Sequence, residues 1–380
     1  DGRIAYIGPD ASHCIGKETR MIEASGRYLV PGLLDAHMHV ESGMLSVTEF
    51  VRAVLPHGTT GLFIDPHEIA NVFGLDGIRL MVDEARQQPI HVWVQVPACV
   101  PSSPVFETSG VTLTAEDVEQ ALAWEGVIGL GEMMDYPGVA RGDDKMVAEL
   151  SAARQAGKVI GGHYASQEHG LEFHGYVAGG AQDDHEGTTL EGAVQRARQG
   201  MKVMMRYGSA WQDVIKQVKA ITSLGLDSRH FLLCTDDSHA GTLHLDGHMD
   251  RVIRHAIQQG LEPMTAIQMA TINTAEHFGL GLEMGMLAPG RWADVVLVKD
   301  LEDFQADLVI ARGVVAAEAG DLLLTKPEIN LPDWVLNSVH LAQPLTAGSF
   351  KFEVDQELAG HNKVIANVIG ILENQATTRH

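Results

Sequence analysis

Pro31-Gly32-Leu33-Leu34-Asp35-Ala36-His37-Met38-His39-Val40-Glu41 is the stretch on which the reading of this chain turns. The apolar run Tyr28–Leu34 leads into two histidines spaced i, i+2. In a β-strand that spacing turns both imidazoles to one face. If the strand lines a barrel, both look inward near the C-terminal mouth, where barrel enzymes place their chemistry. Two polar residues at a strand-to-loop junction give the same pattern, so H-x-H alone decides little. Its weight comes from what recurs further along.

Apolar, strand-like runs precede helix-like segments at Thr59–Asp65, His91–Pro97, Val127–Glu132, Lys158–His163, Gly180–Asp184, Lys202–Tyr207 and His230–Asp236. With the first run these make eight units. Alternating β and α implies a parallel sheet, and eight units favour a closed (β/α)8 barrel of TIM type over a doubly wound open sheet. Thr114-Ala115-Glu116-Asp117 opens a helix with an N-cap and early acids. Further helices are expected over Leu190–Gln199, stopped by Gly200, over Asp250–Gln259 and over Pro263–Phe278.

The flanks differ from the barrel. Residues 1–29 read as short strands, with Gly2–Gly8 as a hairpin already under way and the start missing. Met286–Val298 returns to β. The barrel, 30–282, is thus expected to be inserted in a small β-sandwich-like domain built from 1–29 and 283–324. Residues 325–380, with Pro327, Pro332 and Pro344, read as a linker and the start of a truncated C-terminal α/β region. There Lys363–Leu372 is strand-like, and the closing Thr378-Arg379-His380 is expected to find nothing to pair with.

At 380 residues the chain can bury a large core, and 45% hydrophobic with 20% charged residues argues against disorder. A net charge of −23 disfavours nucleic acid and anionic membrane as partners. No apolar run is long enough to span a bilayer. Cys14, Cys99 and Cys234 have no C-x-x-C spacing, and an odd number cannot all pair, which points to a reducing, cytoplasmic compartment.

The ends of the expected strands collect metal-ligating residue types: His37 and His39 on the first, Glu132 on the fourth, His163 on the fifth, His185 on the sixth, Asp236 on the eighth. Singly, each has a structural explanation. Together, four imidazoles and two carboxylates converge on one rim, a sound site for two divalent cations bridged by a carboxylate.

The residues Pro31–Ser42, Ile64-Asp65-Pro66-His67-Glu68-Ile69-Ala70-Asn71-Val72, Gly129-Leu130-Gly131-Glu132-Met133-Met134, Asp184-His185-Glu186, Arg206-Tyr207-Gly208-Ser209 and Thr235-Asp236-Asp237 carry a resemblance. The chain resembles the amidohydrolase superfamily and, within it, the bacterial adenine deaminase family. Glutamate at 132 separates it from relatives that bridge their metals with a carbamylated lysine. N-acetylglucosamine-6-phosphate deacetylases share the glutamate but lack the Asp65–Asn71 run. After His163 the family usually continues through a proline-glycine loop, where this chain has Tyr164-Ala165-Ser166-Gln167-Glu168-His169-Gly170.

The resemblance implies hydrolytic deamination of adenine to hypoxanthine and ammonia, by metal-activated hydroxide attacking C6 of the purine. His37, His39, Glu132, His163, His185 and Asp236 would hold two divalent ions. The resemblance implies Mn2+ or Fe2+, and the ligand set also suits Zn2+. Asp236 would carry the proton from the nucleophile to the leaving amine. His67 or Glu68 would protonate the ring nitrogen, or else orient a ligand. Arg206 and Ser209 would hold the purine edge, or Arg206 would be a salt-bridged rim residue. A small-molecule substrate and a homo-oligomer are expected. Alternatives are an amidohydrolase acting on a cyclic amide or another amino-heterocycle, and a non-catalytic barrel.

Overall fold

A computed structural model of the chain describes residues 1–103, 107–351, 365–372 and 378–380. These fall into two compact units, Asp1–Pro327 and Glu328–His380. In the first unit the opening apolar run divides at Gly32 into β1 (Tyr28–Pro31) and β2 (Leu33–His39). A Cβ on Gly32 would lie 2.0 Å from Thr60 Oγ1 and 2.8 Å from Asp294 Cβ, so only glycine lets the chain pass between them.

From β2 the parallel strands run through β3 (Thr59–Ile64), β4 (His91–Val96), β5 (Val127–Met133) and β6 (Val159–Gly162). A second parallel arc holds β7 (Asp183–Asp184), β8 (Lys202–Arg206) and β9 (Phe231–Cys234). One residue further on, β10 (Asp236–Asp237) leaves that arc and pairs in parallel with β2 at Met38 and His39. Between the arcs, the Gln182 N–H donates to the Ile160 carbonyl at 2.9 Å. Strands and intervening helices make an α/β fold of TIM type. β2 is buried at all seven positions, as a strand covered on both faces must be.

The strand interiors are graded. Leu34, Ala36, Phe63, Met204, Leu232, Cys234 and Phe278 form an inner apolar cluster, with the Phe278 ring stacked on Phe63 at 3.8 Å. Polar residues occupy the C-terminal ends. The register between β2 and β3 shifts between Asp35 and Met38. That irregularity carries β2 from Leu34 and Ala36 facing inward to Met38 and Val40 packing with the outer helices.

Caps define the helices where residues allow. Thr114 and Asp117 form a reciprocal capping box at Ala115–Leu122. Gly200 follows Leu190–Arg198 in left-handed backbone, φ 84°. The helix expected over Pro263–Phe278 is two, Pro263–Met269 and Ile272–His277. The break coincides with the Ala270 carbonyl, which accepts from the Leu34 N–H at 2.8 Å.

Beyond the barrel, β11 (Val295–Val298), β12 (Ala306–Ala311), β13 (Val314–Glu318) and β14 (Asp321–Leu322) join β1 in one antiparallel sheet, ordered β1-β11-β12-β13-β14. The hairpin expected at Gly2–Gly8 is not formed. Arg3 makes one bridge to Trp292, and Tyr6 and Ile7 are exposed, with no apolar face to cover them. In the second unit Gly370–Ile371 pairs antiparallel with Thr378–Arg379, so the closing residues do find a partner. The first two residues of the strand-like run expected over Lys363–Leu372 lie outside the described residues. No helix among the described residues is long and apolar enough to cross a membrane.

Candidate active site

The strand ends bring the six expected ligands into one buried cluster centred on Glu132. His37 Nε2 lies 2.8 Å, His39 Nε2 3.1 Å and His185 Nε2 3.1 Å from Glu132 Oε1. His163 Nδ1 approaches Oε2 at 3.1 Å. Asp236 Oδ1 is 3.2 Å from His39 Nε2 and 3.7 Å from His37 Nε2. His185 belongs by distance to two groups, one with His37, Glu132 and Asp236, the other with His163 and Glu186.

Tautomers make the case for a cation. His39 Nδ1 lies 2.7 Å from the Asp65 carbonyl, which can only accept, so Nδ1 carries the proton. The lone pair of Nε2 then faces Glu132 and Asp236, an arrangement that repels unless positive charge sits among them. Around them Glu132 Oε2, His163 Nδ1, His185 Nε2, His67 Nδ1 and Glu186 Oε2 are buried without a well-directed hydrogen bond, although His163 Nδ1 and Glu132 Oε2 are only 3.1 Å apart. An unpaired buried polar group costs about 1–3 kcal/mol, and a cation among them would complete the whole cluster at once.

The electrostatics agree. Burial pulls His39 and His163 down, but the Glu132 charge more than reverses this and both end above the ordinary imidazole range. His185, opposed by burial and favoured by Glu132, is raised to about 9. Burial pushes Glu132 up, yet the surrounding imidazoles hold it well below a normal carboxyl; Asp236, beside His39, His185 and Arg206, is also held well below. Each direction says that positive charge is wanted here. Mixed imidazole and carboxylate donors fit divalent transition ions.

Asp65, quoted within a motif but given no role from sequence, supports Glu132 from behind. The Glu132 N–H donates to Asp65 Oδ2 at 2.7 Å. A Cβ on Gly131 would stand 2.1 Å from the same oxygen, which explains the glycine before the glutamate. His67 and Glu68 open the helix His67–Phe73. His67 Nδ1 is 3.7 Å from Glu132 Oε2, and Glu68 Oε2 is 3.9 Å from His39 Nδ1, so both border the cluster. Cys99, also missed from sequence, lies beside His67 and Glu132, and burial raises its thiol to about 11.

Arg206 borders the cluster through Asp236 and Glu186, while Ser209 is bonded elsewhere. Arg206 is wholly buried, with Nη1 contacting Glu186 Oε1 and Asp236 Oδ2 (2.9 Å) and Nε on Asp213 Oδ2 (2.9 Å). The Ser209 hydroxyl donates to Thr242 Oγ1 and accepts from the His239 N–H, both at 2.8 Å. Tyr164 is buried in the core, and Arg196 ties its carbonyl to Asp184. Glu186 was legible as a neighbour of His185, but nothing in sequence marked it as Arg206's partner. A cavity of about 490 Å3, lined in part by Lys158, Gln182, Lys202 and His277, opens at the opposite ends of the strands, away from these residues.

An α/β barrel whose strand ends gather imidazoles around one buried carboxylate has the architecture of a metal site. The amidohydrolase family model matches residues 28–316, and the chain belongs to the amidohydrolase family. It is 60% identical over 378 residues to an adenine deaminase of Mesorhizobium japonicum, and 48% identical over 380 residues to one of Moorella thermoacetica. Both alignments cover 100% of this chain but 62% and 63% of the relative, so the chain spans under two thirds of their length. Among solved structures, a beta-aspartyl dipeptidase of Fervidobacterium islandicum superimposes with TM-score 0.62 at 17% identity, covering 87% of this chain and 93% of that one. The E. coli guanine deaminase gives 0.60 at 14%, covering 83% and 90%. These two likenesses concern the fold.

Proposed function

We propose that this chain carries the active site of an adenine deaminase, which hydrolyses adenine to hypoxanthine and ammonia with the help of two divalent cations, manganese or iron. The observation that carries the reading is the tautomer of His39: with its Nδ1–H donated to the Asp65 carbonyl, its Nε2 is left facing Glu132 and Asp236, where it would serve as a ligand to a cation. The substrate comes from the relatives, named adenine deaminase at 48–60% identity across all of this chain.

In this reading His37, His39, Glu132, His163, His185 and Asp236 would hold the cations. Bound divalent cations lower the pKa of water from 15.7 towards about 7 and so make a nucleophile available at neutral pH. Asp236, kept ionised by its surroundings, accepts the proton of the attacking water and delivers it to the departing amino group. Arg206 holds the second oxygen of Asp236, so only Oδ1 faces the reaction. His67, within reach of the cluster, protonates the ring nitrogen as electrons move onto it; Glu68 stands behind it at 3.7 Å. The free cysteines suit a reducing, cytoplasmic setting.

The test is ammonia release by the metal-loaded protein from adenine, compared with adenosine, guanine, cytosine and a dihydropyrimidine amide. Adenine is expected to react and adenosine to react little. Preference for the cyclic amide would overturn the substrate assignment and leave the metal chemistry standing.

A further inference from the structure

Asp236 sits in left-handed backbone, φ 60°, a region uncommon for residues other than glycine, although aspartate enters it more readily than most. The place is telling, because it is where the barrel closes. β9 pairs with β8 and β10 with β2, while Thr235 between them belongs to neither ladder. Its N–H donates instead to a side chain, Asp35 Oδ1, at 3.0 Å. Its hydroxyl donates to the other oxygen, Asp35 Oδ2, at 2.6 Å.

Asp35 is itself fixed. It is completely buried on the outward side of β2, two residues before His37. His248 Nε2, also buried, stands 3.1 Å from Asp35 Oδ2. Since a carboxylate only accepts, Nε2 carries a proton; His248 Nδ1 meets the Thr59 hydroxyl at 2.9 Å. One carboxylate thus replaces a rung of backbone pairing at the seam, and its supports come from β3 and from the start of the helix Met249–Gln258.

We propose that Asp35 is a positioning residue for the reaction: by taking both donors of Thr235 it imposes the turn that aims Asp236 at His39 and Arg206. The inference rests on Asp236 being the proton carrier. Asp35 touches neither substrate nor cation; besides holding Thr235, its Oδ1 accepts from the His37 N–H at 3.4 Å, so variants at Thr235 are the ones that isolate the Thr235 contact.

Thr235→Val removes the hydroxyl and keeps the branched shape, while Thr235→Ser keeps the hydroxyl. In the metal-loaded protein Thr235→Val is expected to lower kcat about 10²-fold, the scale of a 1 Å misplacement, with KM and bound metal within about twofold of the parent. Thr235→Ser should stay within about threefold in kcat. Equal losses in the two variants, or a parental kcat in Thr235→Val, would overturn the proposal. Should Thr235→Val not fold, Asp35→Asn asks the same question, since its amide cannot accept from the hydroxyl while its oxygen still accepts from the Thr235 N–H. If the parent binds metal but does not deaminate adenine, the substrate reading fails separately. A crystal structure of the folded variant then decides: Asp236 leaving positive φ supports the positioning role, and an unchanged φ refutes it.

Discussion

Arg206→Met should cost stability before it costs substrate affinity. The guanidinium is wholly buried, and its Nη1 and Nε serve Glu186, Asp236 and Asp213. Burial opposes its charge, but the three carboxylates raise its pKa well above normal. Methionine fills much of the volume and leaves three acids without their shared counter-charge. Breaking a buried ion pair by removing one partner costs about 3–5 kcal/mol, and at roughly 1.5 °C per kcal/mol for a unit of this size the melting temperature should fall by about 5 °C. The loss has a pH signature. Arg206 stabilises by keeping Asp236 ionised, a contribution present above the ordinary aspartate range and lost as pH falls through the lowered folded pKa. The gap between parent and variant should therefore be widest near neutrality and narrow in acid. Thermal melts of the metal-loaded protein from acid to neutral pH, alongside kcat and KM, provide the assay. An unchanged melting temperature with a raised KM would refute this reasoning and return Arg206 to the purine edge.

Other outcomes follow from the same geometry. Asp236→Asn keeps one ligating oxygen and removes the base, so metal content should stay near the parent's while kcat falls at least ~10²-fold; loss of metal alongside activity would make Asp236 chiefly a ligand. Glu132→Gln should bind fewer divalent ions per chain by elemental analysis, and parental stoichiometry would exclude a bridging role. Glu149, buried with both oxygens lacking a hydrogen bond and Lys145 Nζ 3.4 Å away, has its pKa raised by burial to about 7. Its proton stabilises the fold below the ordinary glutamate range, and that contribution is lost as pH rises through about 7. Glu149→Gln should flatten that slope and stabilise the protein at pH 8 by up to about 3 kcal/mol; an unaltered stability–pH curve would sink it.

The strands were legible because buried parallel strands are unbroken apolar runs, and their ends because ligating residues follow such runs directly. Where local pattern competed with tertiary contacts, it misled. Tyr28–Leu34 is one apolar run but two strands in two sheets, since close packing at Gly32 is invisible in hydropathy. Pro263–Phe278 has one helical rhythm, yet the Ala270 carbonyl bonds to β2 instead of continuing it. Arg206 could be read as holding the purine edge or as a salt-bridged rim residue, because its partners, Glu186, Asp213 and Asp236, are not its sequence neighbours. Asp35 was quoted in the decisive stretch without a role, because its partner Thr235 is 200 residues away.

The first and last parts of the antiparallel sheet have a consequence for synthesis. Tyr28 pairs with Val298 and Pro31 with Val295, so β1 emerges from the ribosome with every strand of the barrel still to come before its neighbour exists. At about 5–20 residues per second, that wait lasts roughly 15–50 s. During it β1 offers an unpaired edge, and pairing of such high sequence separation forms slowly even once both strands are present. The small sheet therefore cannot begin to close until Val295–Val298 has been made, by which time every strand of the barrel is already out of the ribosome.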